Sequence, residues 1–276
     1  MRLVSFLKEG SWCPALRRGD NIVEVADSDL ASARAVIAAV AQGRRLTEGR
    51  SYPIADVTLG LPVPDPDKIV CIGLNYVDHA KEGGHPIPDY PAVFLRTKSS
   101  LVAHGQPLVR PLTSDKFDYE AELAIVIGKS AHNVAEASAL SHVFGYSCFN
   151  DGSLRDYQRK SSQWTMGKNF DGTGPFGPDI VTADELPAGA VGLRIVSRLN
   201  GQTLQDGNTS DMIFPVARII ALISEVMTLE PGDVIITGTP AGVGYPRKPP
   251  VFMRPGDVCE VEIEGIGILR NPVVGA

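Results

Sequence analysis

Apolar residues in this chain come in short runs separated by turn residues, and few of the runs repeat at helical spacing. Strands are predicted at Ile69–Gly73, Ala92–Arg96, Glu122–Ile127, Gly192–Leu199, Val234–Thr237 and Val258–Ile263, segments rich in β-branched and aliphatic residues and bounded by Gly, Pro, Asn or Asp. In the last of them Cys259, Val261 and Ile263 alternate with Glu260, Glu262 and Glu264, the period of two of a strand with one wet face. Asn200-Gly201 signals a type I′ hairpin. Pro231-Gly-Asp233 and Pro255-Gly-Asp257 each read as a turn feeding a strand. Helical signals are confined to Asp29–Gln42, Ala-rich with Ser28 as N-cap and Gly43 as stop, and to Pro215–Met227, where Ile219, Ile220, Ile223 and Met227 recur at helical spacing. No strand–helix alternation runs along the chain, which disfavours a doubly wound sheet. The Pro-rich stretch Leu61–Asp67 divides a small N-terminal unit, residues 1–62, from a β-rich body, residues 63–276.

Composition narrows the class. With 276 residues, 43% apolar and 21% charged, the chain can bury a full core and has the make-up of a soluble globular protein. Lys+Arg 26 against Asp+Glu 32 gives −6 with no basic cluster, which argues against nucleic acid or an anionic membrane as partner. No apolar stretch approaches the length of a membrane span, and the first ten residues turn polar too soon for a signal peptide. The four cysteines (Cys13, Cys71, Cys148, Cys259) lie far apart with no C-x-x-C, so neither a disulfide framework nor a zinc site is expected. A reducing, cytoplasmic setting fits.

The candidate chemistry starts with Glu120 and Glu122, in Tyr119-Glu-Ala-Glu-Leu-Ala-Ile-Val-Ile-Gly128. In a strand, side chains at i and i+2 share a face, roughly 6.6–6.8 Å apart along the chain. Two anions held that close at the head of a buried strand repel each other and lose hydration, and a bound cation is the simplest remedy. Asp151, after the strand-like Tyr146-Ser-Cys-Phe-Asn, would complete a site of three carboxylates. Hard oxygen donors without His or Cys favour Mg²⁺ or Mn²⁺ over zinc. The bland alternatives are a solvated strand edge for the glutamates and a turn or helix cap for Asp151.

His79 and Glu82 sit in Asn75-Tyr-Val-Asp-His-Ala-Lys-Glu-Gly-Gly84, a short helix with Asn75 as cap, where an i, i+3 pair shares a face. A carboxylate beside an imidazole raises its basicity and fixes its orientation, as a general base requires; an ordinary exposed helical pair is the alternative. The polar, Pro-rich His85–Pro91 that follows makes this helix a candidate lid. Lys168, in an otherwise uncharged Gly-rich stretch, is either a surface lysine or a cation balancing an anionic site. Gly172-Thr-Gly-Pro-Phe-Gly177 matches a dinucleotide fingerprint in letters only, because no strand precedes it and Pro175 and Pro178 interrupt the required helix start. Gly238-Thr-Pro-Ala-Gly-Val-Gly244, following a strand, leaves backbone N–H groups free to meet a ligand oxygen, although alone it is more often a tight turn.

These segments occur in order: Cys71-Ile-Gly-Leu-Asn-Tyr-Val-Asp-His79-Ala-Lys-Glu82, Asp118-Tyr-Glu120-Ala-Glu122-Leu-Ala, Asn150-Asp151-Gly-Ser-Leu-Arg-Asp-Tyr-Gln158, Gly167-Lys168-Asn-Phe-Asp-Gly-Thr173-Gly-Pro-Phe-Gly-Pro178 and Thr237-Gly-Thr239-Pro-Ala-Gly-Val-Gly244. Together they resemble the fumarylacetoacetate hydrolase family over about residues 65 to 275. The resemblance implies a β-rich α+β fold, a mixed β-sandwich roll with a small N-terminal α+β unit, and usually a homodimer. It implies Mg²⁺ or Mn²⁺ on Glu120, Glu122 and Asp151, a His79–Glu82 dyad on a lid, and Lys168 as the active-site lysine. Gln158 and Thr239 match substrate-contacting positions. Arg96, in Phe94-Leu-Arg-Thr-Lys98 where relatives commonly carry a lysine motif, is a candidate for binding a substrate carboxylate, and so is Lys98.

The activity expected from this set is metal-dependent hydrolysis of a C–C bond in an acylpyruvate, a small 2-oxo acid, to pyruvate and a carboxylic acid. His79, oriented by Glu82, would activate water, and the metal with Lys168 would stabilise the departing enolate. Oxaloacetate decarboxylation and isomerisation or hydration of a 2-oxo-enoate use the same enolate and are the alternatives. A non-catalytic metabolite-binding protein would have no use for the dyad.

Overall fold

The structure, a computed structural model, describes residues 1–84 and 86–276. The strands predicted from the sequence all form, and the reason is clearest at Ala121–Ile127, which is buried along its whole length. Leu123, Ile125 and Ile127 belong to one core, shared with Ile195, Val261 and Ile263 and with Ile219, Ile220 and Ile223 of the Val216–Val226 helix. Ala124 and Val126 belong to another, with Phe144, Phe176 and Ile180 and with Val36 and Ile37 of the Ala33–Ala41 helix. A strand covered on both faces shows no alternation, hence the continuous apolar run. Truncating Ile125 to Ala would cost about 2–5 kcal/mol in such a site.

That strand lies inside a mixed sheet of eleven strands. It pairs antiparallel with Val143–Asn150 and with Val234–Ile236, which runs parallel to Ile69–Gly73. Ala92–Leu95 closes this end of the sheet. A second sheet of five strands packs over one face, ordered Gln202–Asn208, Arg194–Leu199, Val258–Ile263, Gly267–Gly275, Leu108–Arg110. Its first two strands form the expected hairpin, with Asn200 and Gly201 at φ 53 and 80 as a type I′ turn demands. The result is β-rich with few helices.

The N-terminal strands Arg2–Lys8, Ser11–Arg18, Asn21–Val25 and Glu48–Pro53 form an antiparallel meander, and Arg2–Lys8 hydrogen-bonds to Gly174–Thr182 of the body. The N-terminal unit therefore extends the large sheet instead of standing apart from it. Two caps differ from expectation. The first helix is capped by Ser32, whose hydroxyl accepts from Ala35 N–H at 3.1 Å, because Asp27 and Asp29 are tied to Arg44 and Thr47 in the preceding loop. Asn75 does not cap the Val77–Glu82 helix. Its amide bridges Phe214 N–H and the carbonyls of Phe214 and Thr237, fastening the helix entry to the body. Among the described residues no helix is long and apolar enough to cross a membrane.

Candidate active site

Strand register assembles the site. Asn150 lies opposite Ala121 in the antiparallel pair Ala121–Ile127 and Val143–Asn150. Asp151, the next residue, therefore falls beside Glu120, and its N–H donates to the Glu120 carbonyl at 2.9 Å while Asn150 Oδ1 accepts from Glu120 N–H at 2.9 Å. Glu120 and Glu122, one residue apart, share a face. The outcome is three buried carboxylates with oxygens within 4.8 Å of one another.

Fixed cations compensate two of the three. Lys168 Nζ lies 2.6 Å from Glu120 Oε2 and 2.5 Å from Asp151 Oδ2. Arg155 Nη2 is 2.7 Å from Glu120 Oε1, and Arg96 Nη1 pairs with Asp151 Oδ1. Burial pushes the Glu120 carboxyl up, but Arg155 and Lys168 outweigh it and hold it at about 2. Glu122 has no cation against it among the described residues; it accepts the Gly238 N–H at 2.5 Å. Burial, and then the charges of Asp151 and Glu120, push its carboxyl well above the usual range. A buried carboxylate that lacks a counter-charge beside two others is the arrangement a divalent cation completes. Glu120, Glu122 and Asp151 could hold such an ion.

These carboxylates line a cavity of about 590 Å³ together with His79, Glu82, Gln158, Lys168 and Thr239, so most of the residues singled out in the sequence converge on one space. His79 Nδ1 faces Glu82 Oε2 at 3.5 Å, and Glu82 also accepts the Gly242 N–H. Gln158 Oε1 accepts from Arg155 Nη1 at 2.9 Å. The Thr239 hydroxyl is engaged on both sides, donating to the Ala121 carbonyl and accepting from Gln205 Nε2. Arg96 is not among the lining residues. Its guanidinium is buried and bonded to Asp151, Ser100, Thr173 and the Gly152 carbonyl. In the stretch proposed as a lid, His85 lies outside the described residues. Lys168 is carried by the short Thr165–Lys168 helix, seated close because Gly167 abuts the backbone of Gln158, where a Cβ would collide.

Sequence reasoning assigned no role to Asp118 or Arg155. The buried Asp118 accepts from Tyr119 N–H and Gly244 N–H through Oδ1, at 2.9 and 2.8 Å, and from Arg155 Nε and Tyr245 N–H through Oδ2, at 2.8 and 2.9 Å. It clamps the glycine-rich loop onto the strand that carries the glutamates. The available signal was an aspartate two positions before Glu120 at the head of a buried strand, where a charge needs a partner.

A model of the fumarylacetoacetate hydrolase C-terminal domain matches residues 68–274. The chain belongs to the fumarylacetoacetate hydrolase family. It is 46% identical over 224 residues to a mitochondrial oxaloacetate tautomerase of Homo sapiens, covering 80% of this chain and 71% of that protein. Among solved structures, a fumarylacetoacetate hydrolase from Exiguobacterium antarcticum superposes with TM-score 0.87 at 37% identity, all of both chains being covered. A 2-hydroxyhepta-2,4-diene-1,7-dioate isomerase from Mycobacterium marinum gives 0.82 at 36%, with 100% of this chain and 98% of that one covered. These relatives of the fumarylacetoacetate hydrolase family carry the names of a tautomerase, a hydrolase and an isomerase. They support an enzyme acting on small molecules and do not single out acylpyruvate hydrolysis.

Proposed function

We propose that the chain catalyses keto–enol interconversion of an oxaloacetate-type 2-oxo acid at a divalent-metal site. The observation that carries this reading is the convergence of the His79–Glu82 pair and the three carboxylates on one cavity. The 46% identity to an oxaloacetate tautomerase supports the substrate class. In this reaction a proton leaves the C2 hydroxyl of the enol and a proton arrives at C3; carbon–carbon bonds are untouched. His79, with Nδ1 turned to Glu82, keeps Nε2 to exchange that proton, and the Glu82 carboxylate stabilises the imidazolium formed. Such positioned acid–base groups contribute about 10²–10⁴-fold in rate. Glu120, Glu122 and Asp151 would hold the metal, Mg²⁺ or Mn²⁺ by the hardness of the donors. When bound there, the ion supplies a Lewis acid to the substrate's 2-oxo acid oxygens. Lys168 and Arg155 hold Glu120 ionised, and Arg96 orients Asp151 from the buried side instead of contacting substrate. Gln158 and Thr239 contribute to the cavity wall.

Hydrolysis of an acylpyruvate is the second reading, favoured by the same His79–Glu82 pair, which can equally orient and deprotonate a water. Decarboxylation of oxaloacetate needs no such water and ranks lower. A homodimer belongs to the proposal too, because Val93 and Leu95 stand exposed on the end strand Ala92–Leu95 of the large sheet; the mass of the purified protein tests it. The scattered free cysteines support a reducing compartment such as the cytoplasm.

The deciding experiment follows enol absorbance of oxaloacetate and of several acylpyruvates, with Mg²⁺, with Mn²⁺ and with EDTA. Metal-dependent acceleration of oxaloacetate equilibration without release of CO₂ supports the tautomerase. Formation of pyruvate plus an acid from an acylpyruvate moves the assignment to hydrolysis, and release of CO₂ moves it to decarboxylation. No effect on any of them overturns the proposal.

A further inference from the structure

Three permanent cations line the cavity: Arg155, Arg159 and Lys168. Arg155 is paired with Asp118 and Glu120, and Lys168 with Glu120 and Asp151. Arg159 differs. Among the described residues it makes no ion pair, and its guanidinium stacks on Tyr245, with Cζ 4.1 Å from the ring centroid, while Nη1 donates to the Tyr245 hydroxyl at 2.9 Å. Tyr245 is itself anchored, because its N–H donates to the buried Asp118.

We infer that Arg159 binds a distal anionic group of the substrate, so that the cavity selects 2-oxo acids carrying a second carboxylate. The inference rests on the reading of this cavity as a 2-oxo acid site and adds the residue that sets its specificity. An exposed arginine usually loses much side-chain freedom on binding a ligand. Here the stack on Tyr245 has already restricted it, the condition under which binding energy is not lost to ordering. One of the five guanidinium N–H donors is engaged by Tyr245, and the others remain in the fork that matches a carboxylate. The Tyr245 oxygen accepts from Arg159, leaving its own O–H to donate to the same anion. The carboxylate cluster at the other groups of the cavity would hold the 2-oxo acid head through its metal. Head and tail of a dicarboxylate thus meet separate positive sites in one cavity, whereas a substrate with an apolar tail would leave Arg159 uncompensated.

The test uses the full-length protein with Mn²⁺ and two probes, oxaloacetate and its distal monomethyl ester, each measured by calorimetric titration and by steady-state turnover. Wild type is expected to bind the diacid about 10–100-fold tighter than the ester, the range of a charge-assisted bidentate contact. Arg159→Gln should raise Kd and KM for the diacid by most of that factor while leaving kcat and the ester's constants near wild type. Arg159→Lys should recover part of the loss, keeping the charge without the fork. An unchanged diacid-to-ester ratio in Arg159→Gln overturns the inference, as does a wild type that does not discriminate. Arg159-dependent binding without turnover would leave the inference standing and remove only the reaction assigned above. If wild type binds neither probe, the 2-oxo acid reading falls and the inference with it.

Discussion

The backbone N–H of Gly242 lies 3.1 Å from both carboxylate oxygens of Glu82. One carboxylate thereby couples the Val77–Glu82 helix to the glycine-rich loop while it orients His79. Burial pushes the Glu82 carboxyl up, but the bonds from His79 and Gly242 outweigh this and hold it below the usual range, so it stays ionised. Gly242 sits at φ 101, and a Cβ there would collide with the Leu204 carbonyl. The orientation of the candidate base thus depends on a backbone conformation that glycine alone adopts without strain.

Glu82→Gln keeps the shape of the side chain and removes its charge. We expect kcat to fall about 10²-fold, within the range for a positioned acid–base pair, with the melting temperature close to wild type because the site is half-exposed. Gly242→Ala should lower activity and melting temperature together. Full activity in Glu82→Gln, measured by enol absorbance, would reduce the pair to an ordinary helical contact.

Asp118 is expected to matter as much for stability as for activity. Its two oxygens meet four donors in a buried site, and an asparagine amide would face N–H groups with another N–H and take from the Arg155 guanidinium one of its two buried carboxylate partners, leaving Glu120 alone. Asp118→Asn should cost about 3–5 kcal/mol, the penalty for breaking a buried ion pair. Denaturant unfolding measures it, and a loss below about 1 kcal/mol would show that the loop is held by other means.

Much of this was legible in the sequence because the relevant signals were local. The spacing of Glu120 and Glu122, the Asn200-Gly201 turn and the apolar runs each report on a few adjacent residues, and the motifs supplied the rest. What escaped depends on register and on distant pairing. Arg96 carries nothing in its neighbourhood to show that it would be bonded to Asp151 and not to a ligand. Asn75 has the look of a helix cap, yet the carbonyls of Phe214 and Thr237 compete successfully for its amide. Asp118 and Arg155 gain their roles only when folding sets Arg155 against Asp118 and Glu120 and brings Gly244, at the end of the glycine-rich loop, onto Asp118.

His104 gives the protein a pH-sensitive contact away from the cavity. Burial holds its pKa below the ordinary 6.5; Asp179 acts in the opposite sense, and Arg17 and Arg270 add to the lowering. Its neutral Nδ1 accepts the Arg270 N–H at 3.1 Å. A depressed folded-state pKa means that the unfolded chain takes up the proton first. The contribution is therefore complete above pH 6.5 and is lost as pH falls through the folded-state value. Urea midpoints should drop more between pH 7.5 and 5.5 for wild type than for His104→Gln, whose carbonyl can still accept the Arg270 N–H. Parallel curves would remove His104 from the account.

Metal binding should be visible as stability before any substrate is added. Glu122 is the carboxylate without a counter-charge, so it gains most from a bound cation and its loss should weaken the site most. Mg²⁺ or Mn²⁺ at about a hundred times its Kd stabilises the folded chain by about 2.7 kcal/mol, and EDTA should reverse it. In a protein of this size that corresponds to a rise of about 5–10 °C in melting temperature. Glu122→Gln should show little of that rise. Its cation-free form should melt no lower than cation-free wild type, since the substitution removes a carboxyl whose ionisation burial, Asp151 and Glu120 oppose and keeps an acceptor for the Gly238 N–H. A metal-induced shift of wild-type size in Glu122→Gln would take Glu122 out of the ligand set and leave the clustering of the three carboxylates without its explanation.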